Sequence, residues 1–167
     1  MPEFDFWIDG YRPQWHRDVS AVTAAHGRRL ASLVGKTLTN SLLVWETAGN
    51  HWLCLCPVLL DFEGEQVEIN FWRFDEVSIT WNTIDPNKPV RSPDEKRSNV
   101  WRDDISDGLS ALRGQTLKTV LLLERWESEV GIGLIFTDGQ LTAYNAGDAV
   151  GLDFKVFDPQ FRRYRLG

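Results

Sequence analysis

Between Val58 and Asp85 apolar and polar positions alternate with a period of two. Val67, Ile69 and Phe71 form one apolar series, and Val77, Ile79 and Trp81 form the next. That spacing marks half-buried β-strands and not helix. The stretch predicts a strand ending at Phe62, a turn at Glu63-Gly64-Glu65, a second strand, a connection at Arg73-Phe74-Asp75, and a third strand ending near Asn82. Because side chains alternate, Gln66, Glu68, Asn70 and Trp72 must face away from the apolar series. The next strand sends Glu76, Ser78, Thr80 and Asn82 the same way. A simple hairpin register sets Trp72 opposite Glu76 and Asn70 opposite Ser78.

The flanking sequence is less regular. Residues 1–17 read as an irregular arm that packs Phe4, Phe6, Trp7, Tyr11 and Trp15 on the main body, with Gly10 and Pro13 as breakers. Asp18 is a good N-cap for a helix running toward Leu33, with Val22, His26, Leu30 and Leu33 on one face. Gly27 weakens its middle, so two shorter pieces are an alternative, and Gly35 stands where a capping glycine belongs. A strand follows from Thr37 to Glu46, then a loop at Thr47-Ala48-Gly49-Asn50. Trp52 to Phe62 is apolar on both faces and reads as a central, covered strand, with a bulge or a locally unpaired position at Pro57. Residues 86–100 hold Pro86, Pro89 and Pro93 among dense charge and read as an exposed linker. Trp101 to Leu112 supplies a second helix, capped by Asp103 or Asp104. The tail from Leu152 to Leu166 adds a strand and a last short one through Phe161 and Tyr164.

Much of this pattern occurs twice. Leu30, Leu33, Gly35, Thr37, Leu38, Leu42 and Leu43 recur at the same spacing as Leu109, Leu112, Gly114, Thr116, Leu117, Leu121 and Leu122. Val58, Leu60 and Phe62 match Ile132, Leu134 and Phe136. Asp75, Val77, Ile79 and Trp81 match Asp148, Val150, Leu152 and Phe154. Matching order with small length changes at loops is what a duplicated unit leaves behind. The expected fold is therefore mainly β (α+β), one domain over residues 1–167. It contains two tandem pseudo-repeats, about 18–85 and 101–156, each a short helix followed by an antiparallel four-stranded meander. The two meanders would form a barrel or a sandwich.

Composition narrows the partners. With 43% hydrophobic and 12% aromatic residues, including 8 Trp, the 167-residue chain can bury a sizeable core. A net charge of −6 speaks against a nucleic-acid partner, since phosphate contacts need clustered Lys and Arg. Acidity favours a basic protein partner instead. Charge is also segregated: residues 60–76 carry a net −5, and the tail from Lys155 a net +3. Either the two neutralise each other within the fold, or the acidic stretch is a docking surface. The start has no signal-peptide core and no run reaches membrane-span length, so a cytoplasmic protein without membrane association is expected. Cys54 and Cys56, two apart on one apolar stretch, are poorly placed for a disulfide and read as buried free thiols.

Chemistry is sparse. There is no G-x-S-x-G elbow, and His16, His26 and His51 lie outside the best-defined strands. His26 reads as a packed or edge histidine and His51 as a solvated one. No zinc or EF-hand spacing occurs, so no metal and no cofactor are expected. Gly131-x-Gly133 opens a strand, where close packing explains it better than nucleotide binding. Asp61, Glu63, Glu65, Glu68, Asp75 and Glu76 offer carboxylates for acid–base hydrolysis, although most fall on turns or polar strand faces.

The blocks PVLLDFEG and RFDEVSITWNTID resemble a loose family of uncharacterised bacterial cytoplasmic proteins. A later Leu-x-x-Leu-x-Gly segment and a final Asn145-Ala146-Gly147-Asp148 extend the likeness over about residues 30–156. The resemblance implies a free-standing cytoplasmic domain and brings no activity or catalytic residue with it. Three functions are carried forward. The first is a non-enzymatic protein-binding domain, of immunity or regulatory type, that docks a basic partner through an acidic face of Glu68, Asn70, Trp72, Glu76, Ser78, Thr80 and Asn82. The others are a small-ligand-binding β-barrel or cleft lined by tryptophans, and a carboxylate-dependent hydrolase. Oligomeric state is not legible in the sequence.

Overall fold

The structure is a computed structural model that describes residues 4–92, 99–126 and 129–166. Its elements run β1 (Trp15–His16), α1 (Val19–Ala31), β2 (Leu38–Glu46), β3 (His51–Trp52), β4 (Val58–Phe62), β5 (Glu65–Trp72) and β6 (Glu76–Trp81). They continue with β7 (Asn99–Arg102), α2 (Asp107–Leu112), β8 (Leu117–Arg125), β9 (Glu129–Phe136), β10 (Gly139–Asn145), β11 (Val150–Asp153) and β12 (Arg162–Leu166). The alternating stretch forms β4, β5 and β6 as the pattern requires. Trp72 pairs with Glu76 and Asn70 with Ser78, and Glu63 and Gly64 make the β4–β5 turn with positive φ at both positions.

The strands sort into two antiparallel sheets. The first has 7 strands in the order β1-β6-β5-β4-β2-β3, with β7 also paired to β2, and the second has 5 in the order β11-β10-β9-β8-β12. Neither closes on itself, so the barrel is excluded and two open sheets pack face to face. They share one core. Phe62, Val67, Ile69, Phe71, Val77 and Ile79 meet Val120, Leu122, Ile132, Leu134, Phe136 and Leu141. Phe62 and Phe136 stack at its centre, with ring centroids 6.3 Å apart and planes 9° off parallel.

Backbone also crosses between the sheets. Gly35 N donates to Leu117 O and Gly114 N to Leu38 O, both at 2.8 Å. Leu38 N donates to Gln115 O at 3.0 Å and Leu117 N to Lys36 O at 2.9 Å. Both glycines sit at positive φ, where a side chain would strain the backbone. The helices cross over too: α1 lies on β8 and β12, and α2 packs on β2. Each sheet's outer face carries its own cover. The N-terminal arm buries Phe6, Ile8 and Tyr11 against Val44, Leu59 and Ile84. The C-terminal segment lays Phe157 and Phe161 over Leu121 and Leu123. Gly133 makes room for this second cover, since a Cβ there would come within 3.1 Å of Phe157.

Four sequence expectations need correction. Trp52 to Phe62 is not one strand: Cys56 N donates to Leu53 O at 3.2 Å in a turn, and β4 starts only after Pro57, which has no N–H to continue the ladder. Cys56 is buried as expected, but Cys54 on that turn is only partly so. The second helix is short, capped by Ser106 Oγ on Leu109 N, because residues 99–102 are taken into β7 by pairing with β2. The expected linker is therefore partly structural. Val90 is buried and bridges Asn99, while residues 93–98 of that expectation lie outside the described residues. The helix expected from Asp18, by contrast, runs through Gly27 unbroken, with Gly27 buried in it.

Candidate functional site

The face built from β5 and β6 was the first candidate. Side chains alternate there as predicted, yet the face is interior. Glu68, Asn70 and Ser78 have 0% exposure, and Glu76 and Thr80 are buried. Trp72 is half-buried, and Asn82 alone of the seven is exposed. The cause is the aromatic arm. Phe4 and Phe6 bring their rings to 4.8 and 5.8 Å from that of Trp72. Gln14 N donates to Ser78 Oγ at 2.9 Å. Tyr11 lies over Asn70 and Ser78, its hydroxyl at no normal hydrogen-bond geometry and its pKa pushed up by burial.

Glu68 is the centre of this buried layer. Its Oε2 accepts from Gln66 Nε2 at 2.7 Å and from the backbone N–H groups of Thr83 and Ile84 at 2.9 Å. Its Oε1 accepts from the hydroxyls of Thr80, at 2.7 Å, and Thr83. Five donors saturate one carboxylate and fix the chain as it leaves β6. Glu76 is engaged as well, by Arg17 Nη2 at 2.9 Å, and Glu65 by Arg29 at 2.6 Å. Among the described residues, the acidic stretch thus draws cations from α1 and its approach and not from the basic tail. Among the described residues, no group of three or more His, Cys, Asp and Glu is placed to hold a metal ion, and no helix is long and apolar enough to cross a membrane.

His26 is packed, as its helical position predicted. It is 8% exposed, and its Nδ1 accepts from Trp81 Nε1 at 3.2 Å. The His16 ring stands 5.6 Å away. Burial, then His16 and Arg29, lower its pKa from the ordinary 6.5. A lowered folded pKa favours the neutral ring in the fold, so this contribution is complete above about pH 6.5. Below that pH the unfolded chain takes up a proton first, and stability falls. Urea midpoints measured down an acid series are expected to drop for the wild type and to drop less steeply for His26→Gln; equal slopes would remove His26 as the source.

A different surface stands open. The three-residue connections after β5 and β8 begin with residues in the left-handed region, Arg73 at φ 53° and Trp126 at φ 52°, an uncommon conformation for side chains of this bulk. They display Phe74, 77% exposed, and Trp126, 73% exposed. Both line a cleft of about 500 Å³ with Arg73, Asp75, Arg125 and Glu129. Asn145, at the end of β10, ties the β5–β6 connection to the turn that follows β10: its Nδ2 donates to Arg73 O at 2.7 Å, and its Oδ1 accepts from Gly147 N and Asp148 N at 3.1 Å. The Arg125 guanidinium is clamped by Glu129 at 3.0 Å and lies 4.1 Å from the centre of the Trp126 ring. Sequence reasoning passed over Phe74 and Trp126. The signal was there, in single large aromatics set among charges between two apolar runs, where a turn gives them nothing to pack on.

No family model, curated protein or solved structure matches this chain.

Proposed function

We propose that the protein is a non-enzymatic protein-binding domain, of immunity or regulatory type, that docks its partner at the cleft between the β5–β6 and β8–β9 tips. The observation that carries this is the exposure of both Phe74 and Trp126 on one cleft. Aromatic side chains ringed by polar groups are the usual anchors of protein interfaces. Arg125 already steadies the Trp126 ring, which lowers the ordering cost of binding. The net charge of −6 steers a basic partner toward the molecule. The carboxylates of Glu68 and Glu76 contribute to the fold instead. A photo-crosslinking phenylalanine analogue at position 74 or 126 is expected to give the same discrete protein adduct in lysate, and none from Thr47. The double change Phe74→Ala, Trp126→Ala should move stability by no more than about 0.5 kcal/mol while abolishing capture. Non-specific adducts from all three positions would sink the proposal.

We also propose that the two sheets descend from one duplicated unit. Residues equivalent by sequence meet each other: Thr37 bridges Thr116, Phe62 stacks on Phe136, and the four bonds between residues 35–38 and 114–117 exchange under the same equivalence. This is how the two surfaces of an isologous dimer meet. Equivalent positions should then respond alike. Phe62→Ala and Phe136→Ala are expected to lose the same stability to within about 1 kcal/mol, and a larger gap counts against the duplication.

A further inference from the structure

The free edge of the second sheet carries the positive charge of the tail. β12 ends the strand order and bonds to β8 on one side, and among the described residues no backbone group pairs with its other side. Such an edge leaves a row of backbone donors and acceptors open to another strand. Arg162, Arg163, Tyr164 and Arg165 on it are all exposed. Pairing with Leu123 and Leu121 sets Arg163 and Arg165 on the outer face, while Arg162 lies opposite Glu124 on the other. Arg17, Arg29, Arg91, Arg102 and Arg125 each meet a carboxylate of this chain at 2.6–3.0 Å. Arg162 and Arg165 have no ion pair and no side-chain hydrogen bond among the described residues. Glu124 accepts from the Tyr164 hydroxyl at 3.2 Å instead. Arg163 is steadied by Phe157, whose ring centre lies 5.5 Å from its guanidinium.

We propose that β12 docks an extended acidic segment of a partner protein, which joins the second sheet as its next strand. The backbone edge supplies affinity for an extended chain, and the arginines decide which chain. Three like charges repel a copy of β12 and so guard against self-pairing. The same charges favour carboxylates set directly opposite them, where guanidinium–carboxylate hydrogen bonds form. These cations are not spent on the chain's own acidic stretch, since Arg17 and Arg29 hold Glu76 and Glu65 there. The surface uses none of the tip residues, and its partner segment is opposite in charge to the partner steered to the tips.

The probe is a fluorescein-labelled hexapeptide of alternating glutamate and valine, followed by fluorescence anisotropy on the full-length protein. Saturable binding is expected. An analogue with backbone esters in place of amides keeps the charge and the extended shape but lacks ladder donors, and should bind about tenfold more weakly. A single-stranded hexanucleotide, equally anionic but unable to pair as a strand, should also bind about tenfold more weakly. Arg162→Glu with Arg165→Glu should weaken the peptide by about tenfold or more. Both positions are exposed, and the ester analogue on the wild type keeps the test valid if that variant fails to fold. Absence of saturable peptide binding, equal affinity for the ester analogue or the hexanucleotide, or full peptide binding by the double variant would overturn the proposal.

Discussion

Glu68→Ala is expected to cost about 3–5 kcal/mol of folding stability, the range for breaking a buried charged network. The change strands five donors at once: the Gln66 amide, two backbone N–H groups at Thr83 and Ile84, and the hydroxyls of Thr80 and Thr83. Glu68 has 0% exposure, so water cannot replace it without opening the layer beneath the arm. Glu68→Gln should be milder, at about 1–2 kcal/mol. Its oxygen can keep the Gln66 and backbone donors, while its amide NH2 faces two hydroxyls that can rotate to accept. Urea unfolding read at several wavelengths measures both. If the glutamine variant loses as much as the alanine variant, hydrogen-bond satisfaction is not what Glu68 contributes.

Phe62→Ala is expected to lose about 3–5 kcal/mol, as a large aromatic truncation in a packed core does. Phe62 has no exposed surface and stacks on Phe136 where the two sheets meet. A cavity there loosens both sheets together, because the same residues close the core for each. Tryptophan fluorescence and far-ultraviolet circular dichroism should therefore shift to one lower, coincident transition. Two separated transitions would mean that the sheets unfold independently and that their shared core is not a single cooperative unit.

The sequence by itself determined the elements that depend on neighbours along the chain. Period-2 alternation set β5 and β6. The three residues between Trp72 and Glu76 set the register of the β5–β6 hairpin, and Asp18 set the start of α1, where its carboxylate accepts from Ala21 N at 2.7 Å. These are short-range consequences of side-chain direction and capping, and they need no knowledge of the rest of the molecule. Only the tertiary structure decided what covers each face. Alternation says that Glu68, Asn70 and Ser78 point away from Val67 and Ile69. It does not say whether water or another segment waits on that side, and here Tyr11 and the aromatic arm do. The same limit hid the tips. The exposure of Phe74 and Trp126 follows from local pattern, but that the two line one cleft depends on strands far apart in sequence. Residues 99–102 became β7 and not helix for a like reason, since the open edge of β2 offers four residues of ladder that a local helix cannot match. Local pattern fixes which way a side chain points, and only the assembled fold fixes what it meets there.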